Sequence, residues 1–161
     1  MRQIKKILAP TDLSELSRPG VRYALETAAL AGAEVIIYNV VGYHEATPYY
    51  DIDYDYLNEQ VSLQQVVEEH RRQLSKFLRE NFSDLMNRVT IREIVEVGTP
   101  YEKIIKRAAD EQCDIIVLST HGRTGLRHVL IGSVAEKVVR LAECPVLTVH
   151  PCETAARKAA A

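Results

Sequence analysis

Two short polar segments stand out because each follows an apolar run with the composition of a strand. Pro10, Thr11 and Asp12 follow KKILA, and a segment from Ser119 to Gly125, reading STHGRTG, follows DIIVL. Hydroxyls, a carboxylate, an imidazole and a guanidinium are groups that bind a polar ligand rather than fill a core. Because the carboxyl ends of parallel strands meet at one edge of a sheet, both segments are predicted to line one ligand crevice.

The residues after the second segment are suited to binding an anion. Gly132 and Ser133 precede an apolar helical stripe, and a helix start exposes unpaired backbone N–H groups and a partial positive charge. A glycine there lets a phosphate come close, and the serine hydroxyl adds a donor. Four nearby side chains could add positive charge, namely His121, Arg123, Arg127 and His128. A structural interpretation stays open, in which Gly122 and Gly125 make turns and Ser133 only caps the helix.

Familiar catalytic signatures do not occur in the sequence. There is no GxxxxGK[ST] phosphate loop, and APTDLS stands where a GxGxxG turn would follow the first strand. Ser133 lies outside a GxSxG nucleophile elbow, and spacing places no carboxylate or second ligand beside His121. Phosphate-loop NTPases and Rossmann dehydrogenases are therefore poor candidates, and His121 is expected to contact phosphate or to pack within its loop.

Short apolar runs rich in β-branched residues predict five strands. They read KKILAP, IIYNVV, RVTIREIVEVG, DIIVLS and PVLTVH. Segments with helical spacing separate them, and the second of these is marked by the recurrence of Leu57, Val61, Val67, Leu74 and Leu78. Four helices alternating with five nearly continuous apolar strands predict the α/β class, a single three-layer domain whose parallel sheet has helices on both faces.

Three of the four helices carry start signals. The pairs in which a capping residue precedes an acid by three positions are Asp12 and Glu15, Thr99 and Glu102, and Ser133 and Glu136. Pro100 suits the first turn of the third helix, where no backbone donor is needed. The first helix is predicted to stop at Gly32.

Composition and charge limit the partners of the chain. It has 161 residues, 47% of them hydrophobic, and a net charge of -2, so nucleic acid and anionic membranes are disfavoured as partners. No apolar run approaches the roughly 20 residues of a membrane helix, and no signal-peptide core is present. Cys113, Cys144 and Cys152 suggest neither a disulfide framework nor a zinc cluster, so a reducing cytoplasm is expected.

One domain is predicted over residues 1–150, with an acidic insertion at 42–57. Between Gly42 and Glu69 there are seven acids and no Lys or Arg, and five of the eight tyrosines lie there. The insertion is interpreted either as a mobile lid or contact surface, or as a solvated loop without a specific role. The tail 151–161 is left outside the fold, as flexible chain or a cloning remnant.

Two long stretches of the chain follow the pattern of one known family. They read KKILAPTDLSELS and GTPYEKIIKRAADEQCDIIVLSTHGRTGLRHVLIGSVAEKVVRLAECPVLTVH. They resemble the universal stress proteins, whose nucleotide-binding members carry Gly, two residues, Gly, nine residues, then Gly followed by Ser or Thr. Gly122, the nine residues 123–131 and the pair Gly132-Ser133 match this motif, and Ser119 stands at the position of its first glycine.

The resemblance implies a sheet of order 3-2-1-4-5, a dimer, and ATP held between the first and fourth strands, usually with Mg²⁺ or Mn²⁺. It implies that Pro10, Thr11 and Asp12 line the base and ribose, and that Val40 presents its backbone to adenine. The residues it implies around the ribose and phosphates are Ser119, His121, Gly122, Gly132, Ser133 and Val134. In the implied order the last strand, Val146–Val149, is an apolar edge that invites pairing with a second copy.

Three functions remain open at this point. The first is a regulatory ATP-binding protein of the stress response, a homodimer with at most slow hydrolysis, since no base, phosphate-loop lysine or positioned arginine can be named. The second is an ATP-using enzyme such as an adenylyl transferase or ATP pyrophosphatase, but neither an SGGxDS nor an HxGH run occurs. The third is a dimerisation or interaction module that binds no nucleotide.

Overall fold

A five-stranded parallel sheet forms the centre of the molecule. The computed structural model describes residues 3–46, 56–121 and 131–150, without the side chains of 56–62. The strand order is β3-β2-β1-β4-β5, and every neighbouring pair is parallel, as the resemblance implied. The strands are β1 (Lys6–Pro10), β2 (Glu34–Val41), β3 (Thr90–Val97), β4 (Ile115–Ser119) and β5 (Val146–Val149).

Helices cover both faces of this sheet, which confirms the predicted α/β class. The helices described are α1 (Arg18–Ala31), α2 (Tyr43–Ala46), α3 (Tyr56–Met86), α4 (Pro100–Asp110) and α5 (Ser133–Leu141), with a 3-10 turn at Glu15–Ser17. One buried cluster joins α1 and α3 to the sheet, and a second lies under α4 and α5. The central strands are apolar on both sides because both of their faces are covered.

The strand register brings the two polar segments of the sequence to one place. The β1–β2 ladder ends at the pair Pro10 and Tyr38, and the β4–β5 ladder ends at Ser119 and Val149. After β1 the chain enters α1 on one face of the sheet, whereas β4 is followed by α5 on the other face. The crossovers diverge between β1 and β4, where open α/β sheets form their ligand crevice.

The first helix begins later than its predicted signal. The Asp12 carboxylate does not cap α1; its Oδ1 accepts from the backbone N–H and the hydroxyl of Ser14, at 3.1 and 2.6 Å. The 3-10 turn follows, and α1 begins at Arg18. Asp12 therefore closes a local turn, a common alternative for a short polar side chain. The predicted stop is confirmed, because Gly32 ends α1 in the left-handed conformation with φ 67°.

The other two predicted capping pairs form differently from the expectation. Thr99 is the N-cap residue of α4 and Pro100 its first residue, but the Thr99 side chain makes no capping bond. Glu102 accepts from the hydroxyl of Tyr101 at 2.9 Å instead of closing a capping box. At α5 the N-cap residue is Gly132 rather than Ser133. Helix position was thus predicted well, whereas the side-chain contacts at its ends depend on neighbours.

The ends of the predicted insertion at 42–57 are helical. Tyr43–Ala46 forms one turn, anchored by the buried Ala46, and α3 begins at Tyr56. Its predicted apolar stripe is confirmed at Leu74 and Leu78, which are fully buried. Residues 47–55 and the tail 151–161 lie outside the described residues, so the insertion's proposed mobility stays a prediction.

Among the described residues, no helix has the combination of length and apolar character needed to span a bilayer.

Candidate functional site

A cavity of about 260 Å³ opens at the carboxyl ends of β1, β2 and β4. It brings together nine of the eleven residues singled out in the sequence, namely Pro10, Thr11, Asp12, Val40, Ser119, His121, Gly132, Ser133 and Val134. The remaining two, Gly122 and Arg123, lie outside the described residues. Its volume is close to the lower end of the range of about 300–1,000 Å³ usual for ligand pockets.

The loop after β1 forms one wall of this cavity and is tied down at several atoms. The Thr11 N–H donates to the Tyr38 carbonyl at 2.9 Å, and the Thr11 hydroxyl lies 2.8 Å from that of Ser17. The Leu13 N–H donates to Thr11 Oγ1 at 3.1 Å, with Leu13 in the left-handed region at φ 65°. A leucine persists there only where its surroundings require it, so this wall has a defined shape.

The start of α5 forms the opposite wall. The Gly132 N–H donates to the Thr120 carbonyl at 2.6 Å, and a Cβ on Gly132 would come within 3.1 Å of that oxygen. The first intrahelical bond runs from the Glu136 N–H to the Gly132 carbonyl. The amides of Ser133, Val134 and Ala135 precede that bond and belong to residues that line the cavity.

Ser133 is exposed and occupies the first helical position, so its predicted role as the cap of α5 is corrected. Gly132 takes the N-cap position instead and lies close to Thr120, where an added Cβ would be 3.1 Å from the Thr120 carbonyl oxygen. In the described part of the chain, no side chain caps this helix start. Its partial positive charge therefore faces the cavity.

Ser119, which replaces the first glycine of the motif, bonds to α1. Its hydroxyl accepts from the Gly20 N–H at 2.9 Å, and both groups are buried. That N–H belongs to the third residue of α1, a position whose N–H commonly donates to the side chain of the N-cap residue. The N-cap residue Ser17 makes no such bond and donates its hydroxyl to the Ser14 carbonyl. A residue of β4 thus caps a helix 99 residues away in sequence.

His121 lies at the mouth of the cavity and stacks on a second histidine. The rings of His121 and His150 are nearly parallel, with centroids 5.3 Å apart and 6° between their planes. The hydroxyl of Thr120 lies 2.9 Å from Nδ1 of His121 and 3.1 Å from Nδ1 of His150. This packing agrees with the expectation that His121 is held in its loop.

Several residues of the site were not singled out from the sequence. Thr120 lies inside the motif, and His150 directly follows a predicted strand, so strand ends were the available signal for both. Glu45 and Tyr38 also line the cavity. Burial raises the pKa of the Tyr38 hydroxyl against the opposing influence of Arg107, so Tyr38 stays neutral and donates to Glu96 at 2.8 Å.

The charges of the site are divided between its two ends. The carboxylates of Asp12 and Glu45 line it at the ends of β1 and β2, whereas His121 and the start of α5 lie at the end of β4. Two strand spacings, about 10 Å, separate the ends of β2 and β4. The cavity therefore suits a ligand with hydrogen-bond donors at one end and negative charge at the other.

A model of the universal stress protein family matches residues 3–150, nearly the whole chain. The chain belongs to the universal stress protein family. It is 34% identical to universal stress protein MJ0577 of Methanocaldococcus jannaschii over 154 residues, covering 90% of this chain and 94% of that one. A universal stress protein of Methanothermobacter thermautotrophicus is 30% identical over 154 residues, or 93% and 96% of the two chains.

Solved universal stress proteins share the fold. The structure of MJ0577 superposes with a TM-score of 0.70 at 29% identity, over 95% of this chain and all of that one. A universal stress protein in complex with cAMP gives 0.57 at 22% identity, over 92% and 98%. One from Archaeoglobus fulgidus in complex with dAMP gives 0.52 at 19%, also over 92% and 98%. The last two likenesses are of fold alone.

Proposed function

We propose that this universal stress protein binds an adenine nucleotide, with ATP as its ligand, in the cavity between β1 and β4. The observation that carries the proposal is the start of α5, whose first residues line the cavity after Gly132 and receive no capping bond from any side chain among the described residues. A helix start of this kind stabilises phosphate through N–H donors and its dipole. The protein acts as a regulatory dimer in the stress response, with at most slow ATP hydrolysis.

Charge determines the orientation in which the nucleotide is proposed to bind. Phosphates are repelled by Asp12 and Glu45 and attracted by the start of α5. The base and ribose therefore take the end formed by Pro10 to Asp12 and Val40. The phosphates take the end formed by Ser119, His121 and the residues 132–134, with Gly122 and Arg123 of the motif adding to it.

The complexes of two fold relatives support this class of ligand. Proteins with this fold have been solved with cAMP and with dAMP, both of which are adenine nucleotides. ATP in particular is proposed from the family motif, which retains its second and third glycines as Gly122 and Gly132.

A divalent ion is proposed to arrive with the nucleotide. Among the described residues, no group of three or more His, Cys, Asp or Glu side chains could hold a metal ion. Mg²⁺ does not need such a cluster of side chains, because it is commonly held by substrate phosphates, water and one or two carboxylates. We place the ion at the phosphate end, held by the phosphates and water rather than by Asp12 at the base end, with Mn²⁺ as the other candidate ion.

The dimer is proposed to form through β5. Among the described residues this strand pairs only with β4, and Val139 and Leu141 of the neighbouring helix α5 are each about half exposed. An apolar edge of this kind favours pairing with a second copy. We also propose a cytoplasmic location, which the free thiols of Cys113 and Cys144 support.

A dimerisation or interaction module without nucleotide is the second candidate. The observation in its favour is Ser119, whose side chain is committed to the Gly20 amide at the first position of the phosphate motif. Such a module would keep the β5 edge and leave the cavity empty.

The first experiment looks for the nucleotide itself. The purified protein is denatured and its supernatant is analysed for adenine nucleotide, and ATP with Mg²⁺ is then titrated by calorimetry. Bound ATP without turnover is expected. Rapid release of phosphate or pyrophosphate would indicate an ATP-using enzyme, and neither carry-over nor heat of binding would favour the nucleotide-free module.

Gly132→Val tests the placement of the phosphates. A Cβ at Gly132 would lie 3.1 Å from the Thr120 carbonyl oxygen, so a branched side chain is expected to displace the start of α5 from its place beside the cavity and to abolish measurable ATP binding. Ala109→Val is the matched control, because it adds a similar volume at an exposed position of α4. Urea unfolding establishes that both variants are folded. Unchanged ATP affinity in folded Gly132→Val would contradict the proposed phosphate position.

A further inference from the structure

The ladder of backbone hydrogen bonds between β1 and β2 ends beside the cavity, one hydrogen bond before the end of β2. The backbone N–H of Glu34 donates to the Lys5 carbonyl, and the register holds through the pair Pro10 and Tyr38. In a parallel ladder with this register, the next backbone hydrogen bond would run from the Val40 N–H to the Thr11 carbonyl. Within the described residues that hydrogen bond is not formed. The Thr11 carbonyl accepts from Asn39 Nδ2 instead, at 2.9 Å.

A buried side chain thus replaces a backbone donor at the end of the ladder. Asn39 is 1% exposed, so its amide must find partners within the protein. Val40 lines the cavity at this point. Backbone groups alternate sides along β2, so the Val40 N–H points toward β1, and among the described residues the Thr11 carbonyl does not accept from it.

His70 of α3 contacts the other end of the Asn39 amide. A carbonyl only accepts, so the NH₂ group of Asn39 must face Thr11 and its oxygen must face away. That oxygen lies 3.2 Å from Nδ1 of His70. An amide oxygen also only accepts, and therefore Nδ1 of His70 carries a proton in this contact. The neutral Nδ1–H tautomer and the imidazolium both meet that requirement.

We propose that His70 and Asn39 are positioning residues of the nucleotide site, which hold the Thr11 carbonyl and keep the Val40 main-chain amide available to the adenine base. This inference rests on the proposed function for its ligand, but the contacts it concerns exist without one. No described residue of helix α3 lines this end of the cavity; the helix helps to shape it through the buried side-chain amide of Asn39, which His70 contacts.

Amide hydrogen exchange tests the contacts without any nucleotide. In the native protein the Val40 amide is expected to exchange faster than that of Ile36, which lies inside the ladder. In Asn39→Leu the Thr11 carbonyl loses its side-chain partner. The Val40 N–H is then expected to donate to that carbonyl and to exchange more slowly. A Val40 amide that is already protected in the native protein, or unaltered in Asn39→Leu, would overturn the inference.

Two substitutions of His70 separate positioning from packing. His70→Leu removes the donor, whereas His70→Asn can place an amide N–H near the position of Nδ1. AMP affinity measured by calorimetry is expected to fall about five- to tenfold in His70→Leu, the equivalent of one hydrogen bond. In His70→Asn it is expected to return to within about twofold of the native value. Equal losses in both variants, or no loss in His70→Leu, would contradict a positioning role.

Inorganic tripolyphosphate provides the control ligand, because it occupies only the phosphate end. Its affinity is expected to be the same in the native protein, His70→Leu and Asn39→Leu, and a parallel loss would indicate general damage rather than positioning. If the native protein binds neither AMP nor ATP, the proposed function fails. Hydrogen exchange of the Val40 amide still tests whether His70 and Asn39 keep the hydrogen bond between Val40 and Thr11 from forming.

Discussion

Ser119 illustrates how one side chain acquires a role that its motif does not reveal. At the first glycine position of the family motif, its natural interpretation is a contact to phosphate. Its hydroxyl is instead bonded to Gly20, and a Cβ on Gly20 would lie only 2.6 Å from the Ser119 nitrogen. The two residues form a close junction between β4 and α1, in which the serine supplies the cap and the glycine supplies the space.

Loss of this cap is predicted to lower stability. Ser119→Ala leaves the buried Gly20 N–H without its acceptor, which costs about 1–3 kcal/mol of the free energy of unfolding. The measurement is urea denaturation followed by circular dichroism. Ser133→Ala is the control, because Ser133 is exposed and makes no capping bond, so a change within about 0.5 kcal/mol is expected. Equal stability of Ser119→Ala and the native protein would show that water or another group satisfies Gly20.

At the scale of the element, the end of α1 depends on one conformation. Gly32 has φ 67°, and a Cβ added there would meet nothing within 4 Å. Space therefore does not restrict this position, and the backbone conformation alone does. Glycine adopts it without strain, whereas a β-branched residue does not.

The loss of stability on substitution of Gly32 is predicted to depend on how well the new residue adopts the left-handed conformation, and not on its size. Gly32→Val is expected to lower the free energy of unfolding by about 1–2 kcal/mol, and Gly32→Asn by less, because asparagine tolerates the left-handed region. Gly42→Ala is the control, since its Cβ would have its nearest neighbour at 3.9 Å and its φ is not in that region. Equal losses for valine and asparagine would refute the explanation.

At the scale of the whole molecule, the outer edge of β5, which pairs with no other strand in the described part of the chain, is where we propose that a second copy binds. The Ile116 N–H donates to the Pro145 carbonyl and the Thr120 N–H to the Val149 carbonyl, both toward β4. Backbone groups alternate sides along a parallel strand, so those of Val146 and Thr148 point away from β4. These outward groups are the ones that a second copy would pair with.

Thr148→Pro is predicted to separate the proposed dimer. Proline removes an outward N–H and leaves the bonds to β4 in place, which is how edge strands tolerate it. Sedimentation velocity is expected to show a dimer for the native protein and for Thr148→Val, and a monomer for Thr148→Pro. A native monomer would refute the dimer, and a Thr148→Pro dimer would move the interface away from this edge.

Much of this architecture could be predicted from the sequence. The α/β class follows from apolar runs and helical stripes, and the end of α1 at Gly32 follows from one residue type. The strand order came from the family resemblance. The contacts of Asp12 and Ser133 could not be predicted, because a short polar side chain near a helix start has several local partners of similar energy.

The sequence by itself determined where strands and helices form and which polar segments follow the strands, because periodicity and breaking residues act over a few neighbouring positions. Only the tertiary structure decided which polar groups meet. Ser119 caps α1 from 99 residues away, and Asn39 takes the Thr11 carbonyl across 28 residues. Such pairs depend on strand register and helix packing, and a buried polar group bonds to whichever partner the fold brings within reach.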